Sequence, residues 1–320
     1  MRSFTRNSLP GRVVFGSGAA RTALAGELES LGARRVLVLA SERGEPLARE
    51  LTAPLPVVEV FTGVREHVPG EVADAALAVA ERSDVDCLLS VGGGSAVGTA
   101  KAVALHRPVP IVAVPTTYAG SEMTPVWGRT DGGEKRTGTA IAVRPRVVVY
   151  DPELTVGLPA GITAASGMNA LAHAVEAHRR GDPVTVLVAR EAIRALTEGL
   201  PQAVVEQDRT EALYGAYLAG SVFAVVGSGT HHKICHVLGG TYGLPHARTH
   251  AVLLPYTAAD AEGVDAGALR ELAERIGAPT SLREIGMRAE DLDDAAGRLP
   301  LDPGSARTLL ADAYDGRWPA

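Results

Sequence analysis

The chain has 320 residues, enough for one large or two ordinary domains, and its 46% hydrophobic and 21% charged content excludes a mostly disordered polypeptide. A formal net charge of −6 and an isoelectric point near 5.9 argue against a general nucleic-acid surface. No apolar run reaches membrane-spanning length and Met1–Arg6 lacks the order of an export signal, so no membrane association is expected and the cytoplasm is the expected compartment. Cys87 and Cys235 fall in apparent core segments and read as thiols.

The first third alternates strand and helix. Short buried strands are expected at Arg35–Ala40, Val57–Phe61, Val85–Val91 and Pro110–Pro115, with helices at Glu71–Arg82 and Ala96–Leu105. Strands joined by crossover helices predict a doubly wound parallel sheet that binds ligands at the carboxyl ends of its strands. Gly92-Gly-Gly-Ser95 lies between such a strand and a helix. A glycine turn there admits a phosphate to the backbone, and the helix start offers N–H groups and a positive dipole. At the next strand end, Pro115–Pro125 is rich in hydroxyls and small residues, suited to a cofactor's phosphates and nicotinamide.

A polar excursion, Gly128–Thr137, reads as a hairpin with Asp131-Gly132 as its turn; its Lys135 is either a solvated charge or a phosphate anchor. A last strand, Arg146–Tyr150, leads to Pro152 and Pro159, which bracket a domain boundary, so that residues 1–152 form an α/β domain and 153–320 an all-α domain. Helices are expected at Ala164–Glu176, Pro183–Leu200 and Thr210–Val226.

The stretch Gly229–His246 then concentrates four histidines and a lysine within an apolar, glycine-rich segment. His232 and His236 are four apart and share a helix face, as do Asn169 and His173 upstream. Gly239 and Gly240 are expected to end the helix, and the loop to Pro245 to return His246 to the same site. Imidazoles beside the Lys233 ammonium could hold a metal, move protons or bind an anionic substrate.

Val91-Gly-Gly-Gly-Ser95, Pro115–Glu122, Tyr150–Leu154, Ser166–Glu176 and His231–Gly240, in that order, resemble the iron-containing alcohol dehydrogenase superfamily and, within it, the maleylacetate reductases. The resemblance implies a nicotinamide-binding α/β domain, a helical domain, an active site between them and a homodimer. Asn169, His173, His232 and His246 match the superfamily's metal-ligand positions, with Asn where metal-dependent members carry Asp. An amide is a weaker ligand than a carboxylate, so a metal-free site is expected.

The implied reaction is NAD(P)H-dependent reduction of the conjugated C=C bond of maleylacetate, or of a similar dicarboxylate enone, to 3-oxoadipate. Lys233 and the imidazoles would stabilise the developing enolate, and His173, His236 or His246 would supply the proton, with His232 completing the catalytic set. Gly93, Gly94 and Ser95 would hold the pyrophosphate, and Thr116, Thr117 and Tyr118 the nicotinamide half. Ser41 stands where NAD-selective relatives carry Asp, so either NADH or NADPH is admitted. Arg248 stands where maleylacetate reductases often carry Glu and reads as either a carboxylate clamp or a surface charge. Two other readings stay open: a metal-dependent alcohol or aldehyde dehydrogenase, and a dehydroquinate synthase-like lyase.

Overall fold

The computed structural model describes residues 4, 6, 11–132, 134–205 and 208–318, with the side chains of residues 134 and 135 left out. The chain forms two compact units, Ser8–Gly157 and Leu158–Ala320, the second of which also takes in Arg6. Arg6 donates to the Asp182 carboxylate at 3.0 Å.

In the first unit, strands form at β1 (Arg12–Phe15), β2 (Val36–Leu39), β3 (Val57–Phe61), β4 (Cys87–Gly92), β5 (Ile111–Pro115), β6 (Val126–Asp131), β7 (Glu134–Thr139) and β8 (Val147–Tyr150). Six make one sheet in the order β1-β8-β5-β4-β2-β3, paired in parallel throughout, and β6 and β7 form a separate antiparallel hairpin. The central strands β2, β4, β5 and β8 are short runs of mostly β-branched and aliphatic residues buried on both faces. Val36 and Val38 pack with Leu24, Leu28, Leu89 and Val149 on one side, while Leu37 and Leu39 pack with Ala76, Leu88 and Val103 on the other. That alternation is why these segments lack the polar face of a half-exposed strand.

The sequence reading placed the doubly wound sheet correctly but did not identify β1, whose Arg12–Phe15 pairs with Val147–Tyr150. The hairpin is where expected, yet Asp131 is the last strand residue, paired with Glu134, and the turn begins at Gly132 with φ 56°. The chain order reverses between β2 and β4, so the carboxyl ends of β2, β4 and β5 lie side by side where such sheets receive ligands.

The second unit is helical, with long helices at Ala160–Arg180, Pro183–Val205 and Thr210–Val226, then Thr230–Tyr242, His246–Ala258 and shorter helices to Asp315. The helix carrying the histidines runs through Gly239 and Gly240 and stops at Gly243, which adopts the left-handed conformation (φ 70°) and donates its N–H to the Gly239 carbonyl. The expected stop was three residues early: a glycine inside a helix costs only about 1 kcal/mol, whereas the left-handed cap selects the residue without a Cβ. Among the described residues no single helix is long and apolar enough to cross a membrane.

Asp151, in the Tyr150–Leu154 motif, has a structural role. Fully buried, its carboxylate accepts from the backbone N–H groups of Gly18, Ala20 and Glu153, each at 3.1 Å. It thereby ties the helix start after β1 to the turn after β8. Replacing Asp151 with Ala leaves those donors without an acceptor, and is expected to lower unfolding free energy by about 1–3 kcal/mol, measurable by urea denaturation.

Candidate functional site

Within the helical unit, the candidate site grows from three helices. Ala160–Arg180 contributes Asn169, His173 and Glu176; Thr230–Tyr242 contributes His231, His232, Lys233, Cys235 and His236; His246–Ala258 contributes His246, Arg248 and His250. The rings form a continuous cluster, with centroid separations of 5.0 Å for His173–His232, 4.5 Å for His232–His250, 4.4 Å for His246–His250 and 5.8 Å for His236–His246. Phe223 stacks on His173 at 4.3 Å and on His232 at 4.6 Å, adding an apolar face to the cluster.

Two hydrogen-bonded arrangements set the imidazole tautomers. Glu176, 5% exposed, accepts from the backbone N–H of Gly229 at 3.0 Å and lies 2.5 Å from Nδ1 of His232. With its proton on Nδ1, His232 carries a lone pair on Nε2. The Thr257 hydroxyl lies 3.0 Å from the Leu253 carbonyl, which takes its proton, so its oxygen accepts from Nδ1 of His231 at 2.7 Å. Nε2 of His231 then accepts from Nδ1 of His250 at 2.8 Å, and the lone pair of His250 is on Nε2.

Burial holds His173, His232 and His250 well below the usual histidine range, neighbouring imidazoles adding to the effect, and lowers His231 to about 3. Asn169 Oδ1, His173 Nδ1, His232 Nε2 and His250 Nε2 are buried without a hydrogen-bond partner among the described residues. The buried imidazoles are therefore uncharged, with Glu176 the carboxylate beside them. The outer members of the cluster differ: His246 is half-buried, and His236, Lys233 and Arg248 are exposed. Arg248 lies 3.7 Å from Glu284, an exposed and loose pair that leaves both its readings open.

The α/β unit brings the expected cofactor residues to adjacent strand ends. Ser41 follows β2 and accepts from the Gly44 N–H at 3.2 Å. Gly93 and Gly94 open the helix Gly94–His106 without a side-chain cap, with Ser95 next. A Cβ on Gly93 would stand 3.0 Å from Thr117, so this turn and the loop after β5 are packed together. Thr116 and Thr117 are half-buried and Tyr118 is fully buried. The Lys135 side chain lies outside the described residues.

Comparison with known proteins reaches the same assignment. Residues 10–152 match the iron-containing alcohol dehydrogenase family, and residues 163–262 match the C-terminal part of that family. The chain belongs to the iron-containing alcohol dehydrogenase family. It is 43% identical to maleylacetate reductase 1 of Cupriavidus pinatubonensis, covering 100% of this chain and 99% of that protein. The crystal structure of maleylacetate reductase from Rhizobium sp. strain MTP-10005 superposes with a TM-score of 0.93 at 40% identity, covering 100% of both chains. That from Agrobacterium tumefaciens gives 0.93 at 39% identity, again over 100% of both chains. The chain is a maleylacetate reductase-like oxidoreductase, and its family implies a nicotinamide cofactor.

For an iron-containing alcohol dehydrogenase, the donor set bears on both implied groups. The uncapped helix start and the glycine turn fit a dinucleotide pyrophosphate. His232, with Nδ1 held by a carboxylate and Nε2 bare, has the form of a metal ligand with its supporting acceptor. Asn169 and His173 can add an amide oxygen and an imidazole nitrogen; this set fits a divalent ion in kind but brings no charge to it. The ligand atoms of His231, Cys235 and His250 also lie within 4.8 Å of one another. Their 2.8 Å N···N spacing is that of a hydrogen bond, shorter than the roughly 3.3 Å between two tetrahedral metal ligands. Burial, chiefly, also pushes the Cys235 thiol well up and keeps it protonated.

Sequence reading missed Glu176, His231 and His250 as members of the site. Glu176 and His250 could have been found from helical spacing, being three residues after His173 and four after His246. The His231–His250 pairing has no such signal. One consequence concerns pH. The unfolded imidazoles, with ordinary pKa values near 6.5, take up protons that the folded ones refuse, so stability must fall as pH drops through that value. His231 alone is expected to remove about 2 kcal/mol between pH 7 and 5. Calorimetric melting temperatures should fall over that interval, and less so in His231→Phe.

Proposed function

We propose that the chain reduces the conjugated C=C bond of maleylacetate to 3-oxoadipate with NADH or NADPH, without a metal. The observation that carries this reading is the buried imidazole cluster in which an amide, Asn169, stands in place of an anionic ligand. Full-length similarity to maleylacetate reductases supports the substrate.

A nicotinamide held in the α/β unit would supply the hydride for the alkene carbon beta to the ketone. Gly93, Gly94 and Ser95 would hold its pyrophosphate, Thr116 and Thr117 its nicotinamide half, and Ser41 would leave the ribose end open to either cofactor. Lys233 pairs with a substrate carboxylate, and Arg248 with the other. His232, fixed by Glu176, and His173, packed on Phe223, wall the reacting carbons from water. As charge passes to the ketone oxygen, the outer imidazoles stabilise it by hydrogen bonding. His246 then gives its proton to the carbon alpha to the ketone, and exposed His236, its ring 5.8 Å away, restores that proton from solvent. One hydride and one proton add across the double bond, which balances the reaction.

A second reading, metal-dependent reduction of an aldehyde, is favoured by the bare Nε2 of His232. There His173, His232 and His246 with Asn169 would hold a divalent ion, which supplies a Lewis acid for a carbonyl oxygen.

Oxidation of NADPH and NADH should be followed with fresh maleylacetate, on protein dialysed against chelator and assayed for metal. Turnover by metal-free protein is expected. Inactivity on maleylacetate, with metal-restored activity on simple aldehydes, would replace this reading with the second. Under the first, His246→Gln should lower kcat by about 10²–10⁴-fold with little change in cofactor binding, and His236→Gln by less.

A further inference from the structure

The mechanism above leaves a fully buried lysine unused. Lys101 lies in the helix Gly94–His106 that follows the glycine turn and is 0% exposed. Lysine is rarely fully buried unless its protons are all taken up. Here Nζ donates to the carbonyls of Ser121 and Val126, both at 2.7 Å, and lies 3.1 Å from the Thr124 hydroxyl and 3.3 Å from that of Ser121. Its acceptors lie in the far half of the polar loop after β5 and at Val126, the first residue of β6.

Two more buried side chains grip the same segment. The Tyr150 hydroxyl, at the end of β8, donates to Glu122 Oε1 at 2.7 Å, and Arg144 Nε donates to the Met123 carbonyl at 2.9 Å. Glu122 is 1% and Arg144 7% exposed. At its near half the loop meets the glycine turn: a Cβ on Gly94 would stand 3.3 Å from Ala119, and one on Gly93 3.0 Å from Thr117. The loop is thus anchored at one end and packed on the phosphate turn at the other.

With no exposed surface, Lys101 cannot touch a cofactor, so its effect must pass through the loop. We propose that Lys101 is a positioning residue for the nicotinamide half of the cofactor, setting the course of Thr116–Tyr118 by its hold on Ser121, Thr124 and Val126, while the ADP half depends on Gly93–Ser95 and the end of β2. This rests on the cofactor reading above.

The test compares each whole cofactor with its fragment in the full chain by calorimetry: NADPH with 2′-phospho-ADP-ribose, and NADH with ADP-ribose. Lys101→Met is expected to weaken whole-cofactor binding about ten-fold or more while fragment binding stays within about two-fold, since a buried hydrogen-bond network is lost from the loop only. Amide exchange should quicken in Thr116–Thr124 and stay unchanged in β4. If Lys101→Met does not fold, Thr124→Val, which removes one partner of Nζ, should show the same split on a smaller scale. Equal weakening of fragment and whole cofactor, or no weakening of either, overturns the proposal. A wild-type chain that binds neither cofactor nor fragment overturns both this proposal and the cofactor reading beneath it.

Discussion

The Glu176 carboxylate is the constraint on which the helical site depends. One buried group accepts from the N–H of Gly229 at the start of the histidine helix and from the imidazole of His232 within it. It joins the helix Ala160–Arg180 to the helix Thr230–Tyr242 and decides the tautomer of the imidazole between them. A neutral side chain could cap the helix, but only a carboxylate keeps a proton on Nδ1 strongly enough to leave Nε2 bare in so dry a place.

The second imidazole pair repeats that logic with neutral groups. Thr257 gives its proton to its own helix, His231 donates to Thr257, and His250 donates to His231. Each group in the chain has its donor or acceptor taken except the last, so the unsatisfied capacity collects at one place. Buried polar atoms without partners are otherwise costly, and four of them fall on the helices that carry this cluster. The buried imidazoles are uncharged, and Lys233 and Arg248 stand at the exposed edge of the cluster.

The α/β unit meets the opposite problem, holding a flexible polar loop still. Adjacent strand ends deliver Ser41, the glycine turn and the hydroxyl loop, and close packing of Thr117 against Gly93 makes two of them one surface. Such a loop, made of small residues, buries little apolar area and would fray without anchors. Lys101, Arg144 and Tyr150 supply them from beneath.

Much of this was legible in the residues alone. Aliphatic runs spaced by helix-length segments determine a parallel sheet, because strands that lack a polar face must be covered on both sides; the glycine turn follows from its place between a strand and a helix. Helical spacing likewise puts Asn169 with His173, and His232 with His236, without knowledge of the fold. Only the tertiary structure decided which imidazoles are dry, which nitrogen of His231, His232 and His250 carries the proton, and that His231 pairs with His250. It also turned Lys101 from an ordinary helix lysine into a buried clamp, and moved the helix stop from Gly239-Gly240 to Gly243. The reason is physical: periodicity acts along one element, whereas burial and hydrogen-bond partnership depend on residues brought together from distant parts of the chain.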